Sequence, residues 1–107
     1  MTSELLGLGL LDKADVKNED PDWPAYKKYF MHGTSHHIGL DTHDYGILWE
    51  PMEANQVFTV EPGIYIPDEG FGIRLEDDVV IQENGEPFNL MRNIPIEAEE
   101  IEDIMNS

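Results

Sequence analysis

The chain has 107 residues, room for one small domain, and its 40% hydrophobic and 9% aromatic content supports a modest core rather than disorder. Six basic residues stand against twenty-three acidic ones, a net charge of −17, which argues against nucleic acid and against an anionic membrane surface, because both demand clustered Lys and Arg. There is no cysteine, so neither a disulfide framework nor a thiolate site is possible, and any metal must be held by His, Asp and Glu.

In chain order, Ser3 to Leu11 (SELLGLGLL) reads as a helix weakened by two glycines, each costing about 1 kcal/mol relative to alanine. It is shorter than a membrane span and lacks the basic flank of a signal peptide, so a cytoplasmic protein is expected. Asp12 to Pro24 reads as an acidic, turn-rich connector, and Ala25 to Phe30 as one helical turn anchored by Tyr26, Tyr29 and Phe30.

The stretch His32 to Asp44, HGTSHHIGLDTHD, contains every histidine of the chain: His32, His36, His37 and His43. Histidine is the commonest metal ligand and titrates nearest neutral pH. The clustering therefore points to a site, against the plainer alternative of a polar loop whose histidines cap turns.

Tyr45 to Asn55 is irregular. Val57 to Val60 and Ile64 to Ile66 have strand composition on either side of Pro62-Gly63. Asp68 to Phe71 is a turn. Gly72 to Gln82 (GIRLEDDVVIQ) reads as a second strand interrupted by three acids, and Asn84-Gly85 as a hairpin signal returning the chain through Phe88 to Leu90. Pro95 to Met105 reads as an acidic helix with Ile96, Ile101, Ile104 and Met105 on one stripe.

Two glutamates fall where the strand composition is apolar: Glu61 after Phe58-Thr59-Val60, and Glu76 inside IRLEDDVVI. A carboxylate taken into such surroundings is normally paired or coordinated. Arg74 can balance one acid but not Glu61, Glu76, Asp77 and Asp78 together, although Asp77 and Asp78 are read most simply as a bulge or strand end. One His and two Glu from separate segments leave a coordination position for water, the arrangement of a hydrolytic metal centre.

In this order and spacing, HGTSHHIGLDTHD, TVEPGIYI and GIRLEDDVVI resemble the C-terminal half of the M24 metallopeptidases, within them the Xaa-Pro aminopeptidases, with proline dipeptidases next. The resemblance covers the whole chain. It implies an α+β fold, the C-terminal half of the pita-bread (creatinase/aminopeptidase-like) fold, with an antiparallel curved sheet and flanking helices. It implies that His36, Glu61 and Glu76 are metal ligands, Glu61 also serving as general acid/base and Glu76 bridging two ions. His43 resembles the histidine that assists proton transfer or stabilises the tetrahedral intermediate, His32 the one lining the substrate pocket, and Arg74 an arginine organising the metal-site acids. His37 falls where the family varies and is read as incidental.

The family holds two Mn²⁺, or Zn²⁺ or Co²⁺, and takes two further ligands from aspartates well upstream, after a separate N-terminal domain. Asp12, Asp15, Asp20 and Asp22 do not reproduce that aspartate motif. Three of five ligands are thus expected here, with at most one ion, negligible activity alone, and apolar strand surface covered by a second copy or by a complementary N-terminal half. The implied substrate is a peptide with proline at its second position. A proline dipeptidase-type segment, or a non-catalytic pita-bread binding module, is the alternative, since fold does not fix function.

Overall fold

The computed structural model describes residues 1–107. The chain divides into two compact units, one formed by Met1–Gly33 with Pro62–Arg74 and the other by Thr34–Glu61 with Leu75–Ser107.

In the first unit, helix α1 spans Thr2–Gly7, shorter than the expected run to Leu11. The glycines explain the difference. Gly9 has φ +74°, Leu10 N–H donates to the Leu5 carbonyl at 3.0 Å and Gly9 N–H to that of Leu6 at 3.1 Å. That is the paired closure of a Schellman motif, with glycine at the left-handed position. The helix is therefore stopped rather than weakened, and the chain turns back so that Leu11 joins Leu5 and Tyr29 in a buried cluster. Ile64 and Ile66 pack against that cluster.

Helix α2, Lys13–Lys17, stands where a connector was expected. The Asp12 carboxylate accepts from Asp15 N–H and the Asp15 carboxylate from Asp12 N–H, both at 2.8 Å. This reciprocal capping satisfies two donors that have no partner within the helix. A short 3-10 helix follows at Ala25–Lys28, as the single turn expected there.

Strand β1 is Val57–Val60 and β2 is Gly63–Ile66. The expected strand over Gly72–Gln82 is two strands, β3 (Phe71–Arg74) and β4 (Asp77–Val80), separated at Leu75-Glu76. β3 pairs antiparallel with β2, ending at Gly63 opposite Arg74, while β4 pairs with β1, ending at Val60 opposite Asp77. Each pairing stops at the same place because Pro62 has no N–H to donate to a ladder. Asp77 and Asp78 open β4 rather than bulging from it.

β5, Phe88–Asn89, completes a three-stranded sheet in the order β1-β4-β5. It is reached through the Asn84-Gly85 turn, with Gly85 at φ +86°. The last helix, α3, is Ala98–Met105, and its Ile101, Ile104 and Met105 are exposed.

Leu5 is fully buried (0% exposed) and central to the first unit. Leu5→Ala should cost about 2–5 kcal/mol, the range for truncating a buried leucine. The backbone carbonyl that closes α1 is untouched by the change, so the loss reports packing alone. Urea unfolding should show the midpoint falling with an unchanged slope, and a loss below about 1 kcal/mol would mean that the cluster collapses onto the gap.

Candidate metal centre

The second unit places His36 through backbone pairing to β1. Thr59 N–H donates to the His36 carbonyl at 3.0 Å, Ile38 N–H to the Val57 carbonyl at 3.2 Å, and Glu61 N–H to the Thr34 carbonyl at 2.7 Å. His37 forms a bridge with Phe58. The segment thus runs antiparallel to β1 with His36 opposite Thr59, and the Thr59 hydroxyl accepts from His36 N–H at 3.1 Å. Period-two alternation puts Glu61 on the same face as Thr59. His36 and Glu61 are then diagonal neighbours, within reach of each other's side chains.

Their side chains do meet: His36 Nε2 lies 3.8 Å from Glu61 Oε1, and both groups are half-buried. His36 Nδ1 is 2.9 Å from the His37 carbonyl. A carbonyl can only accept, so Nδ1 carries a proton and donates to it, which leaves Nε2 as the ring nitrogen that faces Glu61. Fixing one ring nitrogen on a carbonyl so that the other can bind metal is the usual outer-shell arrangement around a ligating histidine. Two ligands each about 2.1 Å from one ion stand roughly 3–4 Å apart, so this pair fits a divalent cation.

Glu76 leaves the same end of the β1–β4 pair as Glu61, each one residue beyond the terminal Val60–Asp77 partners. Glu76 is exposed, and the structure contains no group of three or more His, Asp or Glu side chains arranged to hold an ion. On the same pair of strands Asp78, the cross-strand partner of Thr59, has its Oδ1 buried without a hydrogen-bond partner. An unsatisfied carboxylate oxygen is costly, and it adds to the demand for positive charge along these strands.

His43 stands beside His36, with ring centroids 4.5 Å apart. Its loop is folded by Asp44, whose carboxylate accepts from Leu40 N–H at 3.2 Å and Tyr45 N–H at 2.9 Å. The second unit therefore brings together His36, Glu61 and His43.

His32 and Arg74 belong to the first unit. His32 is held at both ring nitrogens: Nδ1 donates to the Gly33 carbonyl at 2.8 Å, which leaves Nε2 to accept from the Tyr65 hydroxyl at 2.7 Å. Phe30 meets the ring edge-on, with centroids 4.8 Å apart. Tyr65 lies opposite Gly72 in the β2–β3 register, and a Cβ at Gly72 would run into its ring. Arg74 ends β3. Two residues escaped the sequence reasoning. Tyr65 counted only as strand composition, with nothing in its spacing to mark it, and His37 was incidental although its carbonyl sets the proton on His36 Nδ1.

The model of metallopeptidase family M24 matches residues 9–83. The Xaa-Pro aminopeptidase of Escherichia coli is 44% identical over 98% of this chain, and that of Haemophilus influenzae 38% identical over 98%. The solved aminopeptidase PepP of Pseudomonas aeruginosa superposes with a TM-score of 0.82 at 38% identity over 98% of the chain. The chain spans about a quarter of the length of these relatives, 26% of each. Its antiparallel strand pairs and flanking helices are those of the α+β pita-bread fold of aminopeptidase P. With its histidine–glutamate pair carried on the matched segment, this chain belongs to metallopeptidase family M24.

Proposed function

We propose that these residues form one side of a metallopeptidase centre of the Xaa-Pro aminopeptidase type, which removes an N-terminal residue ahead of proline. Membership of family M24 and the likeness to Xaa-Pro aminopeptidases support the reaction class. The observation that carries the reading is the His36–Glu61 pair, with Nδ1 of His36 tied to the His37 carbonyl and Nε2 turned to the carboxylate.

His36 and Glu61 would hold a divalent ion, Mn²⁺ or in its place Zn²⁺ or Co²⁺, and Glu76 would be the further carboxylate ligand that the family resemblance implies. When bound, the metal supplies Lewis-acid polarisation of the scissile carbonyl and acidifies water at neutral pH. Glu61 takes up the proton released in the attack and returns it to the leaving nitrogen. His43, against the His36 ring, donates to the oxygen on which negative charge develops. His32, braced by Tyr65 and Phe30, and Arg74 belong to the first unit and keep the roles that the family resemblance implies, a pocket-lining histidine and an arginine that organises acids.

Calorimetric titration of the 107-residue chain with Mn²⁺ should give one ion per chain and no second. Two tightly bound ions would show that the ligand count is wrong. No binding at all would favour the non-catalytic module.

A further inference from the structure

We infer that Thr59 is a positioning residue for His36, its hydroxyl holding the His36 N–H out of the strand ladder. The inference rests on the reading of His36 as a metal ligand and extends it to how the backbone beneath that ligand is set.

In a hydrogen-bonded antiparallel pair, each residue donates its N–H to the carbonyl opposite. His36 and Thr59 face each other in this way, between Ile38 N–H on the Val57 carbonyl and Glu61 N–H on the Thr34 carbonyl. Only half of the exchange is made between their backbones. Thr59 N–H donates to the His36 carbonyl at 3.0 Å, whereas His36 N–H donates to the Thr59 hydroxyl at 3.1 Å. The ladder is thus interrupted at the residue read as a ligand and resumes on either side of it.

Thr59 is fully buried, so no water stands in for its hydroxyl when the hydroxyl is removed. Valine has the same branched shape without it. With valine there, the His36 N–H loses its acceptor, and the nearest replacement is the carbonyl of residue 59 itself. Leaving an N–H unpaired beside a buried strand is costly, which drives the ladder to close. Closure draws the His36 backbone towards β1 and turns the Cα–Cβ bond that aims the imidazole. That bond sets both the 3.8 Å approach to Glu61 and the stacking on the His43 ring.

The test compares the 107-residue chain with Thr59→Val and with Thr59→Ser, which keeps a hydroxyl on a smaller side chain. Metal-free protein gives two readouts by NMR. One is the scalar coupling across a hydrogen bond between the His36 nitrogen and the carbonyl carbon of residue 59. The other is the Overhauser contact between the rings of His36 and His43. Calorimetry gives the Mn²⁺ affinity. In the unaltered chain the coupling should be absent and the ring contact present. In Thr59→Val the coupling should appear, the ring contact should weaken, and the affinity should fall at least about tenfold, the lower end of the effect of losing an outer-shell partner. Thr59→Ser should match the unaltered chain in every readout.

A coupling seen in the unaltered chain overturns the inference, since the ladder would then be closed with the hydroxyl in place. It fails equally if Thr59→Val shows no coupling, keeps the ring contact, or holds its affinity within about twofold. Thr59→Ser behaving like Thr59→Val, or unfolding, also overturns it. Unfolding of Thr59→Val does the same, because the hydroxyl would then support the fold and not His36. Should the unaltered chain bind no Mn²⁺, the metal reading falls, while the coupling and the ring contact still decide the role of Thr59.

Discussion

Glu61→Gln is expected to weaken divalent metal binding by more than about a hundredfold, beyond the 10–100-fold that outer-shell changes cause. Glutamine keeps the size and hydrogen-bonding reach of glutamate but removes the charge that makes the oxygen a good partner for a hard cation. His36 Nε2 then faces a neutral amide across 3.8 Å, and a single imidazole is a poor site for Mn²⁺. The fold should be spared, because the strand contact at this position is made by the backbone: Glu61 N–H to the Thr34 carbonyl at 2.7 Å. Calorimetry should therefore show lost binding while the urea midpoint stays within experimental error of the unaltered chain. Retained affinity would show that Glu61 is not a ligand. A collapse of the midpoint would show that the carboxylate is a structural group.

The second expected result concerns activity and its rescue. Hydrolysis at a dinuclear centre needs a nucleophile and a substrate held in register. These residues offer Glu61, Glu76 and His43, but not the two aspartates that the family resemblance assigns to an upstream hairpin. With Mn²⁺ present, the 107-residue chain alone should turn over an Xaa-Pro peptide no faster than background. Adding the upstream part of a relative that carries both aspartates should restore measurable turnover. In that reconstituted mixture, Glu76→Gln should lower kcat by about a thousandfold, corresponding to about 4 kcal/mol of lost transition-state stabilisation. Glu76 lies between β3 and β4 rather than in a ladder, and the urea midpoint of Glu76→Gln, measured beside kcat, separates a loss of catalysis from a loss of fold. Robust turnover by the chain alone would overturn the need for the upstream ligands, and rescue indifferent to Glu76 would remove it from the site.

The sequence by itself determined which residues are candidates for the site and most of the elements that carry them. The gathering of all four histidines into His32–Asp44 marked the segment, and Glu61 and Glu76 stood out as carboxylates in apolar strand surroundings. Asn84-Gly85 marked the turn before β5, because glycine alone readily takes the positive φ found at Gly85. These signals are local: they rest on composition, alternation and backbone preference over a few neighbouring residues.

Other local signals were present but overlooked. The Asp12 to Asp15 spacing that caps α2 lay inside a run that composition alone presents as solvated loop. Gly9 counted as a weakness of α1 although it is the residue that ends it.

Only the tertiary structure decided the rest, since it depends on segments far apart in the chain. The break between β3 and β4 falls at Leu75-Glu76 because the partner segment breaks at Glu61-Pro62. Nothing within GIRLEDDVVI states where its partner loses an N–H. Tyr65 reaches His32 across 33 positions, by virtue of the strand on which it lies and the absence of a side chain at Gly72. The proton on His36 Nδ1 is set by the carbonyl of its neighbour, and that neighbour is placed by its bridge to Phe58, far along the chain. Residue types and spacing name the groups that can bind a metal, while the direction each group faces follows from strand pairing and hydrogen bonds between segments that meet only in the folded chain.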